Sequence, residues 1–337
     1  MLDKAINHLL PQSGDLLWVL DETDAAPSEL ILKEARRSTI LTNRYDIAER
    51  YRGLGLSTEL SDFLFPTGSQ WSAIIFPISK EKLLCKHVIY QSALSLNENG
   101  RFILYGKKNQ GIKSLFAAIQ GSEALKKIGE DYIGACHQLN LFEAKENFSS
   151  NYTEVSNIAK IAQFTVSSKP GIFSWKKLDQ GSIFLANYLT EQKIHFNGKT
   201  VLDLACGCGH LALVSATLGA EHLHGTDNNV TAIEICRKNF MNNTLNADAS
   251  CDDAGSKLTA RFDIVVCNPP FHIGKQSDYS LTSKFIEAAA RCLKSGGEAW
   301  FVFNAFIPAE RLAKSSFPMA NQVANNKQFK VLYFKKA

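Results

Sequence analysis

The chain has 337 residues with 45% hydrophobic and 21% charged residues, enough to bury two ordinary cores and too apolar for a disordered chain. The net charge of +4 is too mild to declare a nucleic-acid partner by itself, and no apolar run approaches the ~18 residues of a membrane span. The N-terminus, MLDKAINHLLPQSGD, lacks the apolar stretch of a signal peptide. The eight cysteines are scattered without CxxC or His/Cys metal spacing, so reduced thiols in a cytoplasmic protein and no metal are expected.

In chain order, Val19-Leu20-Asp21 reads as the end of a strand, and Ile74-Ile75-Phe76-Pro77 as another. Leu96-Asn97-Glu98-Asn99-Gly100 turns the chain into the strand Phe102 to Tyr105. From Arg101 to Lys127, six basic residues (Arg101, Lys107, Lys108, Lys113, Lys126, Lys127) face one acid, Glu123, which makes this stretch a candidate phosphate contact. A polar stretch from Ser149 to Thr165 separates the two halves.

The second half alternates more clearly. Thr200 to Leu204 is a short apolar run ending at glycines, followed by a helical stretch from Leu211 to Leu218. His222 to Thr226 is a second strand, Val230 to Asn242 a helix, and Phe262 to Cys267 a third strand that runs into Asn268-Pro269-Pro270. Lys284 to Leu293 has helical periodicity, and Gly296-Gly297 leads into the strand Ala299 to Phe303. Lys327, Lys330, Lys335 and Lys336 close the chain with no acid among them, a second candidate phosphate contact. Strands separated by helices imply βαβ units on a parallel sheet. The first half repeats the pattern weakly: Val19-Leu20-Asp21 matches Val201-Leu202-Asp203, Ile74 to Pro77 falls where Val265 to Pro269 falls, and Leu96 to Gly100 matches Leu293 to Gly297. Three matches in one order predict a duplicated α/β domain. The copy has no glycine loop after Asp21, and Phe76 is expected in the place of Asn268.

Val201-Leu202-Asp203-Leu204-Ala205-Cys206-Gly207-Cys208-Gly209 is a strand breaking into a Gly-x-Gly turn, where a side chain would keep a ligand from the backbone. Gly207, Gly209 and Ala212 also satisfy G-x-G-x-x-A, so a dinucleotide competes with S-adenosylmethionine for this loop. Asp227, 24 residues after Asp203, ends the second strand, where a carboxylate can take both ribose hydroxyls of either cofactor. Asp203 favours S-adenosylmethionine, because an acid just before the turn suits a cationic sulfonium and amino group better than a pyrophosphate. In the loop Ser250-Cys251-Asp252-Asp253, either Asp252 or Asp253 is a candidate acceptor for the adenine amino group; Asp252 is taken as the cofactor residue.

Asn268-Pro269-Pro270-Phe271 at the end of a strand carries the chemistry. An exocyclic amine is a poor nucleophile because its lone pair is delocalised into the ring. The Asn268 side-chain oxygen and the Pro269 carbonyl can accept the two amine protons, which aligns the nitrogen with a methyl donor. The prolines restrict φ, and Phe271 offers a face for a base drawn out of its helix. His272 and Lys275 follow and can steer phosphate.

On these residues the chain resembles the class I methyltransferases of the NPP(F/Y) type, and more closely the bacterial 16S rRNA guanine-N2 methyltransferase C family. The stretches that carry the resemblance are Pro170-Gly171-Ile172-Phe173-Ser174, Leu178-Asp179-Gln180-Gly181-Ser182, Asn268 through His272 with Gly274, and Asn304-Ala305-Phe306-Ile307-Pro308. The resemblance implies two tandem Rossmann-like class I methyltransferase domains, the first (1–150) degenerate and serving stability or substrate binding, a linker at 151–165, and a catalytic domain at 166–337. It implies S-adenosylmethionine as cofactor and methylation of guanine 1207 of 16S rRNA within the 30S subunit, by a cytoplasmic enzyme; a monomer is expected. It also implies that Phe173, Asp179 and Gly181 border the cofactor pocket. The Ser250 to Asp253 loop departs from the family, which tends to carry an amide there. Alternatives are a large-subunit rRNA guanine-N2 methyltransferase, an NPP-type DNA adenine or protein glutamine methyltransferase, and a non-catalytic ribosome assembly factor.

Overall fold

In the computed structural model, residues 2–22, 28–68, 70–106, 110–112, 115, 126–133, 136–142, 151–270 and 279–337 are described. The chain divides into two compact units, Met1–Glu154 and Val155–Ala337.

The first unit contains α1 (Leu2–Leu9), β1 (Leu16–Leu20), α2 (Ser28–Lys33), β2 (Ser38–Thr42), α3 (Tyr45–Gly53), β3 (Ser57–Leu60), β4 (Trp71–Pro77), α4 (Lys82–Ser95), β5 (Leu96–Tyr105), β6 (Lys126–Ile133) and β7 (Cys136–Phe142). The second contains β8 (Ser156–Ile161), β9 (Phe164–Ser168), α5 (Gln180–Glu191), β10 (Thr200–Leu204), α6 (His210–Thr217), β11 (His222–Asp227), α7 (Val230–Asn242), β12 (Ala247–Cys251), β13 (Phe262–Cys267), α8 (Ser280–Cys292), β14 (Leu293–Asn304), α9 (Ala309–Leu312), β15 (Met319–Asn325) and β16 (Phe329–Lys335).

The two main sheets have the same strand order. The first runs β3-β2-β1-β4-β5-β7-β6 and the second β12-β11-β10-β13-β14-β16-β15, each parallel except for its last two strands. Each is a doubly wound Rossmann-like sheet with an antiparallel edge. In the second unit one face buries Leu202, Leu204, Val265, Cys267, Phe301 and Phe303. The other buries Val201, Ile264, Val266, Trp300 and Val302. This alternation within near-continuous apolar strands is what helices on both faces demand.

The register shows the duplication in detail and corrects its alignment. β4 pairs with β5 as Trp71↔Leu96, then slips, then Ile75↔Ile103 and Phe76↔Leu104. β13 pairs with β14 as Phe262↔Leu293, with the same slip, then Val266↔Trp300 and Cys267↔Phe301. Phe76 therefore corresponds to Cys267, and Pro77, not Phe76, stands in the place of Asn268. The partners Leu16↔Ala73 and Val201↔Ile264 put Trp18 where Asp203 is, so the match of Asp21 to Asp203 was three residues out. A strand alternates faces with every residue, so the one-residue and three-residue shifts would each turn buried positions to the opposite face. The turn geometry survives in both copies. Thr42 Oγ1 accepts from Arg44 N at 3.1 Å as Asp227 Oδ1 accepts from Asn229 N at 2.9 Å. Ser61 N donates to Thr42 O at 3.0 Å as Asp252 N donates to Asp227 O at 3.0 Å.

The expected linker at 151–165 is structured instead. Tyr152 is fully buried in the first unit, donating to Asp62 at 2.6 Å and stacking on His87. β8 and β9 form a hairpin that Asn239 of α7 and Asn243, just past its end, fasten to the rest of the second unit. Asn239 is fully buried; its Oδ1 accepts from Ser167 N, and its Nδ2 donates to Ser167 O and to Cys208 O in the glycine loop. Asn239→Ala strands three backbone groups, and urea unfolding is expected to show a loss of about 2–4 kcal/mol; a loss under about 0.5 kcal/mol would contradict this clip.

Candidate active site

In a doubly wound sheet, ligands bind outside the carboxyl ends of the strands where the strand order reverses. In the second unit that point lies between β10 and β13, whose ends pair as Leu204↔Cys267. The glycine loop leaves β10 and the Asn-Pro-Pro turn leaves β13 there, one strand spacing apart, roughly 5 Å.

The loop is built from left-handed residues: Ala205 (φ 64°), Gly207 (φ 53°) and Gly209 (φ 86°). A Cβ on Gly209 would lie 2.9 Å from Cys236 Sγ and 3.3 Å from the Phe240 ring, whereas at Gly207 it would meet nothing within 4 Å. Gly209 is thus required by packing, and Gly207 leaves room on the open side. Gly209 precedes α6 and has no side chain to cap it. Asp203 does this from the strand, its Oδ2 accepting from Ala212 N at 2.8 Å.

Asp203 is 1% exposed, and among the described residues no donor lies against its buried Oδ1. Burial pushes its carboxyl up to about 7, opposed by the Ala212 N–H and reinforced by the negative Asp227. A buried acid with an unpaired oxygen beside an open glycine turn fits a cationic ligand, which would relieve that desolvation. Asp227 Oδ2 accepts from Gly207 N at 3.0 Å while its Oδ1 takes Asn229 N, so it fastens the two loops together. Asn229 also donates to Gly171 O at 2.7 Å, which anchors the loop carrying Phe173, an 81% exposed aromatic.

Asp252 and Asp253 part company. Asp252 is 1% exposed, and its oxygens accept from Ser256 N and Lys257 N, so in this structure it shapes the turn. Asp253 is paired with Lys284 at 2.6 Å. Cys251 and Ser250, expected in a loop, belong to β12.

Asn268 Nδ2 donates to Asp179 Oδ2 at 2.7 Å and to Ser182 Oγ at 2.9 Å. Both its N–H groups are thus used, and its amide oxygen has no hydrogen-bond partner among the described residues. Asp179 caps α5, accepting from Ser182 N at 3.0 Å. At Gly181 a Cβ would lie 3.1 Å from Asp179 Oδ2 and 3.5 Å from Asn268 Nδ2, so the glycine lets α5 approach the tetrad. Pro269 is buried and Pro270 exposed. Phe271, His272, Gly274 and Lys275 lie outside the described residues. His210, at the start of α6, is 7% exposed, and burial, opposed by Asp179, lowers its imidazole to about 4, so it is neutral near pH 7. Neither Ser182 nor His210 was singled out by sequence; the Asp-x-x-Ser spacing of a helix cap was the available signal for Ser182.

The C-terminal lysines are largely engaged within the unit. Lys330 pairs with Glu310 at 2.7 Å, Lys336 donates to Ala290 O and Leu293 O, and Lys335 lies 3.9 Å from Glu298. Only Lys327 of the four is exposed without such a bond, so this stretch is a poor phosphate contact. In the other basic stretch Arg101 donates to Leu9 O at 2.8 Å. Lys107, Lys108 and Lys113 lie outside the described residues, and only the backbone of Lys126 and Lys127 is described.

A family model described as "Methyltransferase small domain" matches residues 163–333. The ribosomal RNA small subunit methyltransferase C of Photobacterium profundum is 31% identical over 240 residues, covering 69% of this chain and 68% of that protein. The chain belongs to the ribosomal RNA small subunit methyltransferase C family. The member from Shewanella sediminis is 26% identical over 337 residues, covering 95% of this chain and 93% of its own length. The T. thermophilus 16S rRNA N2 G1207 methyltransferase, solved in complex with AdoMet and guanosine, superposes with a TM-score of 0.82 at 26% identity, covering 99% of this chain and 91% of that one. Membership of this methyltransferase C family covers both units and settles the glycine loop in favour of S-adenosylmethionine over a dinucleotide.

Because Asp227 holds the glycine loop to the next turn, and a carboxylate there is the expected partner of the ribose hydroxyls, Asp227→Ala is expected to weaken S-adenosylmethionine binding about 10- to 100-fold by calorimetry. Unchanged affinity would remove Asp227 from the ribose site.

Proposed function

We propose that this chain transfers a methyl group from S-adenosylmethionine to the exocyclic N2 of a guanine in 16S rRNA, guanine 1207 of the assembled 30S subunit. The observation that carries the reading is Asn268, whose N–H groups are both taken by α5, leaving an amide oxygen for an amine proton at the switch point. S-adenosylmethionine, when bound, supplies an electrophilic methyl on a cationic sulfonium. Asp203 faces its positive charge, Gly207 and Gly209 admit it to the backbone, Asp227 takes the ribose hydroxyls, and Phe173 and Gly181 border the pocket. Asp252 supports the adenine side by holding its turn. Asn268 and the Pro269 carbonyl orient the amine, and Phe271 stacks the base. No strong general base is needed, since the amine loses its proton after transfer.

The first unit contributes stability and substrate binding rather than catalysis. In its sheet Trp18, Thr42 and Pro77 stand where the second unit has Asp203, Asp227 and Asn268, which removes both carboxylates and the amide. No helix among the described residues is long and apolar enough to cross a membrane, in keeping with work on ribosomes in the cytoplasm.

Labelled methyl donor offered with separate 30S subunits, free 16S rRNA, 50S subunits, DNA and protein tests the reading. Label is expected on guanine N2 of 16S rRNA in 30S subunits; label in 50S subunits, DNA or protein instead would replace it. Asn268→Ala is expected to abolish transfer with cofactor affinity within about threefold of wild type, and near-normal turnover would refute the role of the amide.

Binding should also depend on pH. With its carboxyl near 7 in the free protein, Asp203 is largely protonated at pH 6, and a cationic ligand favours the ionised form. Binding then expels a proton, so affinity should fall about tenfold per pH unit below ~6.5 and level off above ~8. A flat calorimetric profile over that range would show that Asp203 does not face the cation.

A further inference from the structure

We propose that Asp179 is a positioning residue for methyl transfer, which fixes the orientation of the Asn268 amide so that its oxygen, not its nitrogen, is presented to the target amine. The proposal rests on the reading of Asn268 as the acceptor of an amine proton. The two ends of an asparagine amide are nearly the same size, so packing alone does not choose between them. At 2.7 Å from Asp179 Oδ2 the choice is made electrostatically. A carboxylate only accepts, so the atom facing it must be the NH2 group; the flipped amide would set two oxygens against each other with no proton between them. Ser182 Oγ, 2.9 Å away, accepts the second N–H and completes the hold.

The negative charge also strengthens the acceptor. A charge-assisted hydrogen bond on the NH2 end polarises the amide and raises electron density on its carbonyl oxygen, the atom that takes the amine proton. The carboxylate is itself held: Asp179 Oδ2 accepts from Ser182 N at 3.0 Å, which caps α5, and Gly181 keeps a side chain from entering between Asp179 and Asn268. His210, whose charge would act on Asp179, is kept neutral near pH 7 by burial. One carboxylate therefore starts a helix and orients the residue that orients the substrate.

Asp179→Asn keeps the shape and, with its amide oxygen in the place of Oδ2, keeps both the helix cap and an acceptor for Asn268, but it loses the charge that polarises the Asn268 amide. With unmethylated 30S subunits it is expected to lower kcat about tenfold, while KM for the subunit and the thermal midpoint stay close to wild type. Asn268→Asp sets two carboxylates together and should lose at least about 1000-fold in kcat. Adding Asp179→Asn to it removes the repulsion, since the new amide can turn its NH2 group to residue 268 at the expense of the Ser182 N–H, and should recover at least about tenfold over Asn268→Asp alone. A role confined to capping α5 predicts no such recovery. Wild-type kcat in Asp179→Asn, or no recovery in the double variant, overturns the proposal. Near-normal turnover in Asn268→Ala would instead overturn the underlying reading of Asn268, so the two failures are distinguishable.

Discussion

Asp227 accepts hydrogen bonds from the backbone of Gly207 and of Asn229, and these two bonds tie the turn after β10 to the turn after β11. The cofactor side of the crevice depends on that tie. A glycine loop with three left-handed residues in five positions has little intrinsic preference for one shape. It is held by groups outside it: Asp227 at Gly207, Asn239 at Cys208, and Asp203 at the first turn of α6. Asp203 is buried for this purpose with one oxygen unpaired among the described residues, an arrangement that costs stability until a cation arrives. On the proposed reading, a cationic ligand facing Asp203 would relieve that desolvation cost.

The duplicated first unit separates what the fold requires from what the chemistry requires. Thr42 replaces Asp227 and still holds the next turn through its side-chain oxygen, and the Ser61-to-Thr42 backbone bond repeats that of Asp252 to Asp227. Trp18 replaces Asp203, and its indole N–H is satisfied by Ser38 at 2.9 Å, so a buried charge has become an ordinary paired core residue. Strand order and pleat faces are unchanged because they depend on apolar alternation, which substitution within the apolar class preserves. The carboxylates and the amide are absent because nothing in the sheet needs them.

Most of the second sheet was legible in the sequence, since Thr200–Leu204 and Phe262–Cys267 are apolar strands that stop at glycine and at Asn-Pro-Pro. β12, with the sequence ADASC, was not, because its residues are small or polar and it lies at the edge of its sheet. The β8–β9 hairpin read as a linker for a similar reason: its exposed face is polar, and it is attached by side-chain amides 72 and 78 residues away. The register of the repeat was misjudged because Asp21 resembles Asp203 in type; the shared slip next to Trp71 and Phe262 exists only in the pairing. The places of Asp203 inside β10, Asp227 at the end of β11 and Asn268 just after β13 were legible in the sequence. The engagement of Asp252 in its own turn was not, since two adjacent acids look alike until one is buried.

The identity of residue 268 follows from its neighbour. A carboxylate there would also accept amine protons, and would do so more strongly than an amide. At 2.7 Å from Asp179, however, two carboxylates could not both ionise, and one would hold a proton in the place where the proposed role of Asn268 calls for an acceptor. An amide avoids this by being a donor on one side and an acceptor on the other. Asp179 in turn is fixed by the need to cap α5 next to Gly181. The chemistry at the end of β13 is therefore set in part by how a helix begins 89 residues earlier in the chain.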